Sequence, residues 1–549
     1  MANNDNFTRK NASNPPVWHR QPARTDSDTT VRDRRALSIL ALVGAAVCIY
    51  AMRRADADLW GNLAYGRFFV ENGGPGASDP FSYTCAGCMW AAHEYLTQIL
   101  LWQVYHFGGP IGLIALKCVV GAFCVGFLWL AIRTTTADAS VWFPVFLLAT
   151  STIARYFLFR PQLFTFAFLA IYVAVLFRHL LQRSNVLWVL PVVMLAWANL
   201  HGGFLAGLGV LCLAVAVRVF QNANAFGTGR RLLAGTAGLW LALWASVLVT
   251  FVNPIGWRLW PYVAAEMFHD TSRKYIGDWQ ATLRAGDYWS TVSITLLLAI
   301  LLTVGWLSRR SRPLIGGLRA WQWVASCAPL AAMAFVSVRH IPIAAIWIAP
   351  VVTLLASQLT EQREASRAFR RARIVVAALS VVPAVLTFLA VAVQPLPRVD
   401  VAGTTLGSKH PCRAVAFMKQ NHLSGNLYVP LWWGSYVTWQ LFPAVRVSMD
   451  GRNISLFPDD MVIENLKFYL TPKREADLDA PLRFDTDFLL VPSDALVLSD
   501  ISGDHRWQTI FMDSDSTLFV RRERALTSMT PLAEATPMPS SAACPAWMQ

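Results

Sequence analysis

Two aspartates one residue apart, Asp56 and Asp58, open the stretch DADLWGNLAYGR (56–67), just past the first long apolar run. A carboxylate at a membrane boundary can face water and a lipid-borne substrate together. It can take a proton from an attacking hydroxyl or hold a divalent cation against a phosphate. It can equally cap a helix start, as Asp commonly does. The same loop carries Asp79-Pro80 and the pair His93-Glu94 just before an amphipathic segment.

Other polar residues interrupt apolar surroundings: Arg160 before a proline, Asn199 and His201 around a span end, and Arg339-His340 between two apolar runs. Ionisable groups at such depth are costly and are commonly functional. The competing reading is a set of snorkelling arginines and a hydrogen-bonded histidine.

The elements that must position these residues are membrane helices. The 549 residues are 55% hydrophobic and only 15% charged, which fits a polytopic membrane protein rather than a soluble domain. The net charge of +14 comes from arginine clusters between apolar runs, an orientation signal that excludes nucleic-acid binding as the reason for it. Runs of roughly 17–25 apolar residues can span a bilayer. They are expected at 36–52, 110–132, 140–157, 163–180, 186–200, 203–220, 232–252, 288–307, 320–338, 341–358 and 374–393, about eleven helices. Arginines including Arg34, Arg183, Arg230, Arg310 and Arg370 favour a cytoplasmic N-terminus. An odd number of spans then exports everything after residue 393.

On this threading residues 1–35 form a disordered cytoplasmic tail and 36–393 the membrane domain, with long exported loops at 53–95 and 253–287. Residues 394–524 alternate helix and strand signals and are expected to form a small exported α/β domain. A disordered tail follows at 525–549. Between residues 110 and 350 the acids are Asp138, Glu266, Asp270, Asp278 and Asp287, and Asp138 is cytoplasmic. Exported carboxylate chemistry therefore needs the first loop, the 253–287 loop or the terminal domain. Arg160, His201 and Arg339-His340 reach the same side as Asp58, which points to one composite site. Of nine cysteines, Cys85 and Cys88 lie outside the apolar runs, as a local disulfide or two thiols.

The stretches DADLWGNLAYGRFFVENGGPGASDPFSYT and WAAHEYLTQ resemble the GT-C glycosyltransferases, polytopic enzymes that use polyprenyl-phosphate sugars. FRPQLFTF, WANLHGGF, VNPIGW, VRHIPIAA and LWWGSYVTWQLFPAVRVSMDGRN are similar to a bacterial branch of that class. The resemblance implies a mainly α, GT-C-like membrane protein with a C-terminal extracytoplasmic α/β domain, in a bacterial inner membrane. It implies Asp58 as catalytic base, with Asp56 and Glu94 assisting. Arg160, Arg339, His201 and His340 would bind the donor phosphate, and Trp432, Trp433, Tyr436, Asp450 and Arg452 would line the acceptor side. Mg²⁺ or Mn²⁺ at Asp56 and Asp58 is the cofactor it allows. The implied partners are a polyprenyl-phosphate sugar, a glycan, lipid or protein acceptor, and membrane lipid.

The series Trp432, Trp433, Gly434, Ser435, Tyr436 also resembles the WWDYG motif of oligosaccharyltransferase catalytic subunits, with glycine at the acidic position. Asparagine glycosylation of a sequon is therefore not expected. A transporter or flippase, or a surface-polysaccharide ligase or polymerase, is the alternative reading of so many spans. The absence of an internal repeat weighs against the transporter.

Overall fold

A computed structural model describes residues 57–363 and 410–524, apart from 77, 227–229, 268, 276, 287, 310–316, 453–455 and 472–476. The expected spans 36–52 and 374–393, both terminal tails and Asp56 lie outside the described residues.

The chain enters with α1 (Ala57–Asn72), then α2 (Tyr95–Arg133), α3 (Ala139–Ala154), α4 (Gln162–Gln182), α5 (Val189–Leu200), α6 (Phe204–Phe226) and α7 (Ala237–Val249). Two short helices, α8 (Leu259–Met267) and α9 (Asp270–Tyr275), precede α10 (Tyr288–Ser308), α11 (Ala320–Val336) and α12 (Ile341–Arg363). Each of the other nine expected spans coincides with one of these helices. Among the described residues five helical segments are long and apolar enough to cross a membrane: Tyr95–Arg133, Gln162–Gln182, Phe204–Ala225, Tyr288–Ser308 and Val338–Leu359. Four shorter apolar helices complete the set. The protein is a multi-pass membrane protein, because only helices and closed barrels satisfy their backbone groups within lipid.

Helix α2 breaks where the sequence demands it. Gly109 adopts φ 55° immediately before Pro110, which has no N–H to continue the helical ladder. The segment before the break lies under the first loop, and the apolar remainder forms a span. Helices α4 and α12 run through the middle of the bundle, where Tyr172, Phe177, Trp347 and Ile348 are buried.

The terminal domain contains α13 (Cys412–Gln420), β1 (Gly425–Tyr428), α14 (Leu431–Leu441), β2 (Val445–Val447), α15 (Asp459–Leu470), β3 (Phe488–Pro492), α16 (Leu498–Gly503), β4 (Trp507–Met512) and β5 (Ser516–Arg521). The sheet order is β2-β1-β3-β5-β4, with β1 parallel to β2 and β3, and β5 antiparallel to β3 and β4. Strand β3, FLLVP, is buried throughout, as a central strand covered on both faces must be.

The first loop closes onto this sheet. Tyr83 N–H donates to the Val447 carbonyl at 3.1 Å, and Val447 N–H donates to the Phe81 carbonyl at 3.2 Å. The loop thus covers the β2 edge, which would otherwise expose unpaired backbone groups. A Cys85–Cys88 disulfide closes the tight turn within the loop. Leu59, Trp60 and Leu63 of α1 share one apolar cluster with Trp433, Tyr436 and Val437 of α14. Helix α1 is therefore a joint between the bundle and the terminal domain.

Candidate active site

Asp58 lies in the first turn of α1, where a carboxylate is favoured by the exposed N–H groups and the helix dipole. Its Oδ2 is 3.4 Å from Nε of Arg160. Arg160 immediately precedes Pro161 and α4, so the proline stop delivers its guanidinium to the end of the bundle. The same guanidinium donates through Nη1 to Asp278. Arg160, with Arg339 beyond it, holds the Asp278 carboxyl below the usual carboxylate range, against the opposing effect of burial. One fork-shaped cation thus ties the first loop to the 253–287 loop.

Arg339 stands at the start of the last described span. Its guanidinium lies over the Trp279 ring at 4.1 Å and donates to Gln162 Oε1 at 3.4 Å. It also interacts electrostatically with Glu266, Asp278 and Glu94. The His340 and Trp279 rings lie nearly perpendicular, with centroids 6.5 Å apart.

Glu94 sits between two imidazoles, with its Oε1 3.6 Å from His93 Nε2 and 3.5 Å from His201 Nε2. His93 also faces Glu266 at 3.9 Å. Burial disfavours charge on His93, yet Glu94 and Glu266 overcome it and push its pKa up to about 9. His201 goes the other way: burial, reinforced by Arg339 and His93, lowers it to about 4 despite Glu94. Its Nδ1 accepts from Gly203 N–H at 2.9 Å, and the Thr165 hydroxyl lies 2.7 Å away. The neutral ring therefore carries its proton on Nε2, toward Glu94. The Glu94 carboxyl is itself held below its usual range: burial works to raise it, but His93, His201 and Arg339 prevail. At neutral pH the trio is a cation, an anion and a neutral donor.

Asp58, Glu94, Arg160, His201 and Arg339, singled out separately in the sequence, thus gather at one end of the bundle. Asp278 and Glu266 join them from the 253–287 loop, which the sequence marked only as one of three sources of exported acid.

Of the five residues expected on the acceptor side, four are buried in the terminal domain and its joint with the first loop, and Trp432 is half-buried. Trp433 and Tyr436 are 2% and 3% exposed, and Tyr436 stacks on His410, with centroids 4.9 Å apart. Half-buried Trp432 packs against Tyr469. Asp450 and Arg452 form a buried ion cluster with Asp79. Arg452 donates to both Asp450 oxygens, at 2.9 Å from Nε and 2.7 Å from Nη2, and through Nη1 to Asp79 at 2.6 Å. The rings of Tyr65 and Trp90 flank its guanidinium at 4.8 and 4.7 Å. Burial pushes the Asp79 carboxyl above its usual range, with Arg452 pulling against it. These side chains seat the domain.

Asp56, half of the pair expected to hold a divalent cation, lies outside the described residues. No group of three His, Cys, Asp or Glu among them could hold a metal ion, and Oδ2 of Asp58 faces the Arg160 cation.

No family model matches the sequence, and no curated protein matches it. Solved structures do. An oligosaccharyltransferase from Archaeoglobus fulgidus, tethered to an acceptor peptide containing the NVT sequon, aligns with a TM-score of 0.56 at 10% identity, over 85% of this chain and 70% of that one. The mycobacterial arabinofuranosyltransferase AftD aligns with a TM-score of 0.52 at 15% identity, over 89% of this chain and 41% of that one. ArnT from Cupriavidus metallidurans, bound to undecaprenyl phosphate, aligns with a TM-score of 0.45 at 14% identity, over 90% and 98%. The chain shares its fold with the oligosaccharyltransferase and with AftD.

Proposed function

We propose that this protein is a glycosyltransferase (EC 2.4 class) of an inner bacterial membrane, moving a sugar from a polyprenyl-phosphate donor to an acceptor on the extracytoplasmic face. The observation that carries the reading is the pairing of a boundary carboxylate, Asp58, with Arg160 at the end of the bundle where Arg339, Glu94 and His201 also meet. An acceptor hydroxyl attacks the anomeric carbon and gives its proton to Asp58. The carbon–oxygen bond to the lipid phosphate breaks on the opposite side, so the configuration inverts. The phosphate leaves with the bonding electrons toward Arg160 and Arg339, with His201 and His340 within the same group of residues. Such a displacement relies on positioning, a base and charge stabilisation.

The acceptor is a glycan, lipid or protein hydroxyl rather than a sequon asparagine. Gly434 occupies the acidic position of the oligosaccharyltransferase motif, and a Cβ there would collide with the Met449 carbonyl oxygen. Backbone packing requires the glycine, so no acid fits.

The test is transfer by purified protein from a panel of polyprenyl-phosphate sugars, with the product's anomeric configuration read by NMR. Asp58→Asn should fold, bind donor and fail in transfer. Near-normal turnover in Asp58→Asn with none in Glu94→Gln would move the base to Glu94. Turnover retained by both variants and by Asp278→Asn would refute the glycosyltransferase reading.

A further inference from the structure

Two glycines bring the terminal domain unusually close to Asp58. A Cβ on Gly451 would lie 2.7 Å from Asp58 Oδ1 and 2.8 Å from Ser435 Oγ. A Cβ on Gly61, in α1, would lie 2.9 Å from both Ser435 Oγ and the Tyr65 hydroxyl. No side chain is tolerated at such distances without a shift of its neighbours. Gly451 N–H also donates to Ser435 Oγ at 3.0 Å. The Asp58 carboxylate is therefore divided: Oδ2 faces Arg160 of the bundle, and Oδ1 abuts the Gly451 backbone of the terminal domain.

We infer that the Asp450–Gly451–Arg452 turn is a positioning element for Asp58, so that the seat of the terminal domain decides where the carboxylate points. The inference rests on the reading of Asp58 as the base. The turn is suited to the task because both residues flanking Gly451 are locked. Asp450 is fully buried, and Arg452 is held by Asp450, Asp79 and the aromatic rings beside it. Ser435 has no slack either, since Gly434 beside it lies against the Met449 carbonyl. A rigid wall one atom deep thus stands behind the carboxylate. Residues 450 and 452 reach the site through the glycine between them, not through their own side chains.

A misplacement of about 1 Å typically costs about 10²-fold in rate. Gly451→Ala inserts one methyl between Asp58 and Ser435 and should lower kcat roughly ten- to a hundredfold, with donor KM unchanged. Gly503→Ala is the control, in the same domain with nothing within 4 Å of the added atom. A second readout needs no turnover. In full-length protein carrying Asp58→Cys, the alkylation rate of that thiol by iodoacetamide is followed against pH, with the Asp58 protein giving the background of the native thiols. Adding Gly451→Ala should change that rate threefold or more, and adding Gly503→Ala should not. Ser435→Ala needs no extra space and should shift the rate in the same direction, which keeps the test open if Gly451→Ala does not fold. Altered alkylation together with reduced kcat supports the inference. Altered alkylation in a protein that transfers none of the sugars supports the positional contact and refutes the glycosyltransferase reading instead. Unchanged alkylation in both Gly451→Ala and Ser435→Ala overturns the inference, whatever happens to kcat.

Discussion

Replacing Arg452 with Met tests whether the ion cluster seats the terminal domain. The change preserves much of the apolar stem and removes the guanidinium that satisfies Asp450 and Asp79. Both carboxylate side chains are 0% exposed, and that of Arg452 is 4% exposed. Removing one partner of a buried ion pair costs about 3–5 kcal/mol, because the charge left behind is uncompensated. At 1.36 kcal/mol per factor of ten, the seated form should lose roughly 10²–10⁴ in its equilibrium. The pH dependence has a definite sign. Asp79 already has a raised folded-state pKa. A carboxyl raised in this way favours the folded state below its unfolded pKa, and that advantage disappears as pH rises through the folded value. Without Arg452 the main opposition to the effect of burial on Asp79 is gone, so the variant should be more stable at pH 5 than at pH 8. Limited proteolysis of detergent-purified protein across that range reads the effect at the first loop. Converting Asp79 and Asp450 to Asn in the Arg452→Met background should restore part of the resistance. If Arg452→Met resists protease like the wild type at pH 8, the cluster does not hold the joint.

Four further outcomes are expected. His93 has a folded pKa near 9 against an ordinary 6.5, so its stabilising effect is present below about pH 6.5 and lost as pH rises through 9; His93→Gln should flatten the thermal-stability profile over that window. Asp58→Asn should lose about 10²–10⁴ of turnover with little change in stability, read by kinetics beside a thermal melt. Trp433→Ala should destabilise the joint by about 3–5 kcal/mol, because it empties a buried indole site, and a raised acceptor KM at unchanged stability would contradict that packing role. Reporter fusions after residues 225 and 400 should report opposite compartments, cytoplasmic and exported.

The spans were legible because lipid leaves few alternatives. A backbone that cannot hydrogen-bond to its surroundings must satisfy itself, and apolar runs such as 163–180 and 288–307 therefore map directly onto helices. The cations of the site were legible for the related reason that Arg160 and Arg339 stand out against apolar neighbours. Their partners were not. Asp278 lies 118 residues from Arg160, and Asp79 lies 373 residues from Arg452, so no local pattern joins them. The aromatic run Trp432–Tyr436 was ambiguous on chemical grounds, since a ring that could stack on a sugar can equally fill a core. In the fold Trp433 and Tyr436 pack around Trp60 and His410.

An acidic pair near a membrane boundary is a weak motif by itself. A carboxylate becomes useful when its two oxygens are given different neighbours, and a sequence does not display neighbours. Here Asp58 has a cation on one oxygen and a glycine backbone on the other, supplied by α4 and by a turn nearly 400 residues downstream. The glycine contact comes from the terminal domain, which docks on the first loop at β2 and through Arg452 between Asp79 and Asp450. A substitution in that distant cluster should therefore act on turnover as well as on stability. Arg452→Met protein that remains folded at pH 5 should show a reduced kcat there, with donor binding intact. Full turnover under those conditions would mean that the carboxylate is oriented by the bundle alone.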